Sequence, residues 1–109
     1  MSKSQRNKGA GYEREVCDVF TVATGRKIQR HIGQARDGGN DITVGKLILE
    51  CKRRKTLGTI EGWLQQAKAA KVSAEQAAIV VARSDGGESL AILSLADFLR
   101  LIDRSVMDL

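Results

Sequence analysis

Gly38-Gly39-Asn40-Asp41-Ile42-Thr43-Val44-Gly45-Lys46-Leu47-Ile48-Leu49-Glu50-Cys51-Lys52 reads as two short strands joined by a tight turn, because Val, Ile, Thr and Leu dominate on either side of Gly45. If Gly45-Lys46 is a two-residue loop with glycine first, as a type II′ turn requires, the register is fixed. Val44 then faces Leu47, Thr43 faces Ile48, Ile42 faces Leu49 and Asp41 faces Glu50. The period of two along a strand puts Ile42, Val44, Leu47, Leu49 and Cys51 on one face, which is apolar throughout. Asp41, Thr43, Ile48, Glu50 and Lys52 fall on the other.

Carboxylates directly opposite on neighbouring strands have Cβ atoms roughly 5 Å apart and repel. A hard divalent cation held between their oxygens is the usual reason to keep such a pair. Lys52 shares the face of Glu50 and stands about 7 Å further along the strand. Two acids and an amine therefore converge where a magnesium ion, a phosphate and a water would fit, the parts needed for metal-assisted phosphodiester hydrolysis.

Length and composition bound the rest. A chain of 109 residues with 42% apolar content suits one domain with a modest core. The expected division is a flexible basic arm over 1–11, which carries Lys3, Arg6 and Lys8, and a single domain over 12–109. The net charge of +5 makes an anionic partner plausible, with nucleic acid the commonest for a small basic domain. No long apolar run or secretory leader is recognisable, so the expectation is a cytoplasmic, reduced protein with no membrane partner. Cys17 and Cys51 with the one histidine, His31, do not make a usual tetrahedral zinc site, and both thiols read as small buried groups.

Along the chain, Tyr12, Val16, Val19, Phe20 and Ala23 recur at helical spacing and predict a first helix from Tyr12 to about Thr24, stopped by Gly25. Glu13 lies beside that stripe, and on spacing alone it is an ordinary acid of a first helical turn. Lys27 to Ile32 predicts an edge strand and Gly33 to Asn40 a loop. Thr59 to Lys71 predicts a second helix with Ile60, Trp63, Leu64, Ala67 and Ala70 on one face, flanked by Gln66. Trp63 reads as a core anchor.

The unbroken run Ala77 to Ala82 suits a central strand, and Ser89 to Leu93 a further one. Ser94 to Asp97 has capping-box spacing ahead of a last amphipathic helix bearing Leu95, Phe98, Leu99 and Ile102. The order is α-β-β-β-α-β-β-α, an α/β fold with a mixed central sheet and helices packed on its faces. Lys8, Arg14, Arg30, Arg36, Arg53, Arg54 and Arg83 are candidate contacts to phosphates. A solvated surface is the bland alternative for each.

Glu13 in an opening helix, Asp41 after a glycine loop and Glu50-Cys51-Lys52 on the next strand resemble the PD-(D/E)xK nuclease superfamily. Among its members the chain looks most like the small Holliday-junction resolvases of archaea and phages and their phage relatives. The likeness extends over Lys8 to Glu15, Trp63 and Gln66, Val80 to Arg83 and Leu95 to Leu99, with Asn40 standing where the family often has proline. It implies a restriction-endonuclease-like fold in which Asp41, Glu50 and the Cys51 carbonyl bind Mg²⁺, with Mn²⁺ as a substitute. It further implies that Glu13 joins through water or the metal, that Lys52 polarises the attacking water, and that Gln66 supports the site.

The activity so implied is a Mg²⁺-dependent DNA endonuclease acting as a homodimer on four-way junctions. Flaps, nicked or plain duplex DNA are alternative substrates for the same chemistry. A catalytically inactive DNA-binding module is the alternative of another class, although clustered carboxylates without metal would repel DNA.

Overall fold

The computed structural model describes residues 3–30 and 42–108, the first six of these as backbone alone. Apolar residues on either side of Gly45 pair as the tight turn requires: β1 (Ile42–Val44) runs antiparallel to β2 (Leu47–Arg54), with Ile42 opposite Leu49, Thr43 opposite Ile48 and Val44 opposite Leu47. Gly45 has φ +57°, while among the described residues Asp108 is the only non-glycine with positive φ. Lys46 is therefore on the negative side, which is the II′ pattern rather than I′.

The run read as a central strand is β3 (Ala77–Ser84), buried from Ala77 to Ala82 and parallel to β2 over its full length. β4 (Leu90–Ile92) pairs antiparallel with β3, giving a four-stranded mixed sheet in the order β1-β2-β3-β4. The crossover from β2 to β3 carries α2 (Ile60–Ala69). Alternation then divides the core in two. Leu49, Cys51, Ile79 and Val81 meet Tyr12, Val16 and Cys17 of α1 (Lys3–Thr24) on one face, and Ala78, Val80 and Ala82 meet Ala67 of α2 on the other, flanked by Leu57, Trp63 and Leu64.

Three expectations need correction. The helix begins at Lys3, not near Tyr12, so the boundary expected after residue 11 falls inside α1. Gly9 and Gly11 each cost about 1 kcal/mol in a helix. With no proline in the way, extension from the packed segment past Tyr12 is cheaper than starting a helix anew.

The strand expected over 27–32 is, among the described residues, a single antiparallel bridge from Arg30 to Ile42. Residues 27–29 are held instead by the end of α1, where Gly25 takes φ +72° and Thr21 Oγ1 accepts the Ile28 N–H at 3.0 Å. His31 and Ile32 lie outside the described residues.

The last helix, α3 (Leu95–Leu101), starts at Ser94 as expected, with Ser94 Oγ accepting the Asp97 N–H at 3.1 Å. Its apolar stripe, however, faces outward: Leu95 is 70% exposed, Leu99 56% and Phe98 45%. The polar edge is what holds it to the body. The buried Asp97 carboxylate accepts from Arg100 Nη2 at 2.7 Å, while Arg100 also donates to the Glu75 and Gln76 carbonyls at 3.4 and 3.3 Å.

The Arg100 guanidinium holds the Asp97 carboxyl below its ordinary value. A depressed folded-state pKa stabilises above the unfolded carboxylate pKa of about 4, and that contribution is lost as pH falls through the folded value. Asp97→Asn is expected to lower stability at pH 7 by about 1–3 kcal/mol and to lose less on acidification than the parent. Urea melts at pH 7 and pH 3 check it, and equal midpoints at pH 7 would contradict it. Among the described residues no helix is long and apolar enough to cross a membrane.

Candidate active site

On β2 the residues between the α1-facing Leu49 and Cys51 point to the α2 side. Glu50 is only 3% exposed there. A buried carboxylate is costly unless it is compensated. Lys52 supplies part of that compensation, its Nζ lying 3.4 Å from Glu50 Oε1 with the two side chains 12% and 4% exposed. Lys52 Nζ also donates to Gln66 Oε1 at 3.1 Å. Three residues before Gln66 on α2, the Trp63 ring lies 6.0 Å from Lys52 Nζ and 5.7 Å from Arg54 Cζ, within range for cation–π attraction.

The structure thus brings Glu50, Lys52 and Gln66 together. Apolar residues of the same volume often hold a fold as well as a buried ion pair does, so the pair is not explained by stability alone. Ile42 opposite Leu49 is the last described rung of the hairpin, and Asp41 lies outside the described residues, as does Arg36. Among the described residues no three His, Cys, Asp or Glu side chains form a metal-binding group.

Glu13 sits on α1, the helix that covers the opposite face from α2. Arg30 Nη1 donates to its Oε2 at 3.1 Å, both side chains being about one-fifth exposed, and to the Ala10 carbonyl at 3.4 Å. Because the Arg30 backbone bridges Ile42, this pair ties α1 to the start of the hairpin. The Cys51 side chain belongs to the α1-facing core, which leaves only its carbonyl as a donor toward the site. Burial pushes the Cys17 thiol above its ordinary pKa, so it stays protonated and inert.

The described arginines differ in availability. Arg30 is held by Glu13, Arg53 by Asp85, and Arg83 by Glu15 at 3.4 Å and the Gly87 carbonyl at 2.7 Å. Arg54 donates to the Arg53 carbonyl at 3.1 Å and lies over Trp63. Arg14 and Lys55 are exposed, and the side chain of Lys8 lies outside the described residues. A cavity of about 400 Å³ beside α1 is lined by Arg14, Cys17, Asp18, Ile28, Gln29 and Arg30, and by none of Glu50, Lys52 or Gln66.

Sequence reasoning placed Trp63 in the core and missed that its ring also flanks the two cations. The i, i+3 spacing of Trp63 and Gln66 was the available signal. The Tyr12 hydroxyl, which donates to Ser89 Oγ at 2.8 Å and clasps α1 to the segment before β4, carried no such signal across 77 residues of separation.

A family model described as "Phage putative PDDEXK endonuclease" matches residues 4–107. No curated protein and no solved structure matches the chain. The match takes in the opening helix, the hairpin with Glu50 and Lys52, α2 with Gln66, and α3. This chain therefore belongs to that phage endonuclease family of the PD-(D/E)xK superfamily.

Proposed function

We propose that the chain is a divalent-metal-dependent DNA endonuclease whose preferred substrate is branched DNA, above all the four-way Holliday junction. The observation that carries the reading is a buried carboxylate, Glu50, beside an ammonium, Lys52, that is itself held by Gln66.

The donor set suits a hard cation. Glu50 offers carboxylate oxygens, Cys51 a carbonyl, and the one nearby thiol is turned into the opposite core. Asp41, Glu50 and the Cys51 carbonyl would hold Mg²⁺ or Mn²⁺, with Glu13 joining through water. A bound cation supplies Lewis acidity and a more acidic water. Lys52 donates hydrogen bonds to the attacking water and to a non-bridging phosphate oxygen, a role that suits a compact ammonium. Gln66 fixes the position of Lys52 Nζ. Arg14, Arg54 and Lys55 offer charge for the phosphates on either side, where each contact adds affinity without sequence preference. Resolving a junction takes two symmetric cuts, which a homodimer with two-fold related sites supplies.

The test is a panel of four-way junction, flap, nicked and linear duplex DNA, each with Mg²⁺, Mn²⁺ or EDTA. The expected result is cleavage of the junction at least about tenfold faster than of linear duplex, abolished by EDTA. Equal rates on all substrates would overturn the junction reading and leave a nuclease of broader range. Tight, salt-sensitive binding with no cutting in either metal would overturn catalysis in favour of a binding module.

A further inference from the structure

The arginines at the ends of β2 and β3 differ in what fixes them. Arg53, next to Lys52 on β2, is neutralised by Asp85, and Arg83, its partner on β3, by Glu15. Arg54 is held in another way. Its guanidinium carbon lies 5.7 Å from the centroid of the Trp63 ring and its Nη1 donates to the Arg53 carbonyl at 3.1 Å. Among the described residues no carboxylate pairs with it. A carboxylate partner cancels charge, whereas an aromatic face does not. Stacking engages the flat face of a guanidinium and spares the N–H donors around its edge, so Arg54 is fixed yet keeps its charge and most of its donors.

Both ends of that side chain are anchored. Arg54 closes β2, paired with Ser84 across the parallel ladder. The Trp63 ring packs against the core of Ala67, Ala78, Val80 and Ala82, so the platform belongs to the body of the fold. The same ring lies 6.0 Å from Lys52 Nζ. Lys52 and Arg54 share a strand face and leave β2 about 7 Å apart, a step comparable with that between neighbouring phosphates of one DNA strand. One indole therefore serves two cations at that spacing.

We propose that Trp63 is a positioning residue: it presents Arg54 as a ready-made grip for the phosphate next to the one that Lys52 faces, and so sets where the DNA backbone lies over the site. Such preorganisation saves the rotamer freedom that a long side chain otherwise loses on binding. The inference rests on the nuclease reading for the identity of the strand that is gripped, but its readouts are fluorescence and binding, which need no cleavage.

Trp63 is the chain's single tryptophan, so its emission reports on the stack alone. In the full chain without DNA, Arg54→Ala is expected to raise acrylamide quenching of that emission about twofold, because the cation no longer covers the ring. Duplex DNA titrated in EDTA gives the second readout. Arg54→Ala and Trp63→Leu should each weaken binding about tenfold and each lower the slope of log affinity against log salt concentration by about one. Trp63→Leu removes no charge, so a purely structural role would leave that slope alone. Trp63→Phe, which keeps an aromatic face, should restore most of it, and Trp63→Leu added to Arg54→Ala should cost no more than Arg54→Ala alone.

Unchanged quenching in Arg54→Ala, or a parent-like salt slope in Trp63→Leu, would overturn the proposal. Should Trp63→Leu fail to fold, the quenching of Arg54→Ala decides. A parent chain that binds DNA and never cuts it, with both readouts as expected, would refute the nuclease reading and leave the grip standing. A parent that cuts while the slope stays put would refute the grip alone, and one that binds no DNA would overturn both.

Discussion

Lys52→Ala and Glu50→Gln are each expected to lower the metal-dependent cleavage rate at least about 10³-fold while leaving DNA affinity within a few-fold of the parent. The asymmetry follows from where the groups sit. Both side chains are almost fully covered, so neither contributes much to the outer surface that meets the DNA backbone. Their effect falls on charge that develops during the reaction. Lys52 also compensates the buried Glu50, so a melt must accompany the kinetics. A folded Lys52→Ala protein that binds and does not cut assigns the loss to chemistry. Lys52→Arg is not expected to restore the rate, because a planar guanidinium does not fit the place of a compact ammonium held by Gln66 and Glu50. Single-turnover cleavage beside a binding titration checks this, and parent-like rates in either variant would refute it.

The second large effect concerns stability. Leu49 is 0% exposed, faces the α1 side of the core, and anchors the hairpin rung next to Glu50. Leu49→Ala is expected to cost about 2–5 kcal/mol, a large share of the roughly 5–15 kcal/mol available to a domain of this size. Val22→Ala, at a position 85% exposed on α1, should change stability by no more than about 0.5 kcal/mol. Denaturant midpoints of the two variants check the contrast. A small effect at Leu49 would mean that the hairpin does not pack as described.

The hairpin was legible because two independent signals agree in it. Alternation from Ile42 to Cys51 assigns the faces, and Gly45 fixes the turn, so a slip of one residue would turn Leu49 outward and Glu50 into the α1-side core. The run Ala77 to Ala82 was legible as a doubly buried strand for the same reason, since no polar residue interrupts it. Spacing alone also put Lys52 on the face of Glu50, which the fold turns toward α2, where Gln66 meets it.

What failed to show in the sequence depends on partners distant along the chain. Residues 27–30 have the alternating pattern of a strand, but Thr21 and Glu13 of α1 claim the Ile28 N–H and the Arg30 side chain, and among the described residues one bridge remains. The start of α1 was misplaced because apolar periodicity marks where a helix is packed, not where it begins. The orientation of α3 was misread because its stripe of Leu95, Phe98 and Leu99 was taken to face the sheet. The competing ties from Arg100 to the Glu75 and Gln76 carbonyls are backbone contacts that no pattern announces. Pairing of Arg53 with Asp85 and of Arg83 with Glu15 was hidden in the same way, and it leaves less free positive charge near the site than the count of arginines suggests.

The proposed nuclease activity requires the β1–β2 ribbon to grip a cation on the face that carries Glu50 and Lys52. Anomalous diffraction from crystals of the chain grown with Mn²⁺ tests it most directly. The expected result is a peak about 2 Å from a carboxylate oxygen of Glu50 and within ligand distance of Asp41, with Lys52 Nζ beside it and not bonded to it. A metal bound elsewhere, or Asp41 found on the α1 side of the sheet, would contradict it.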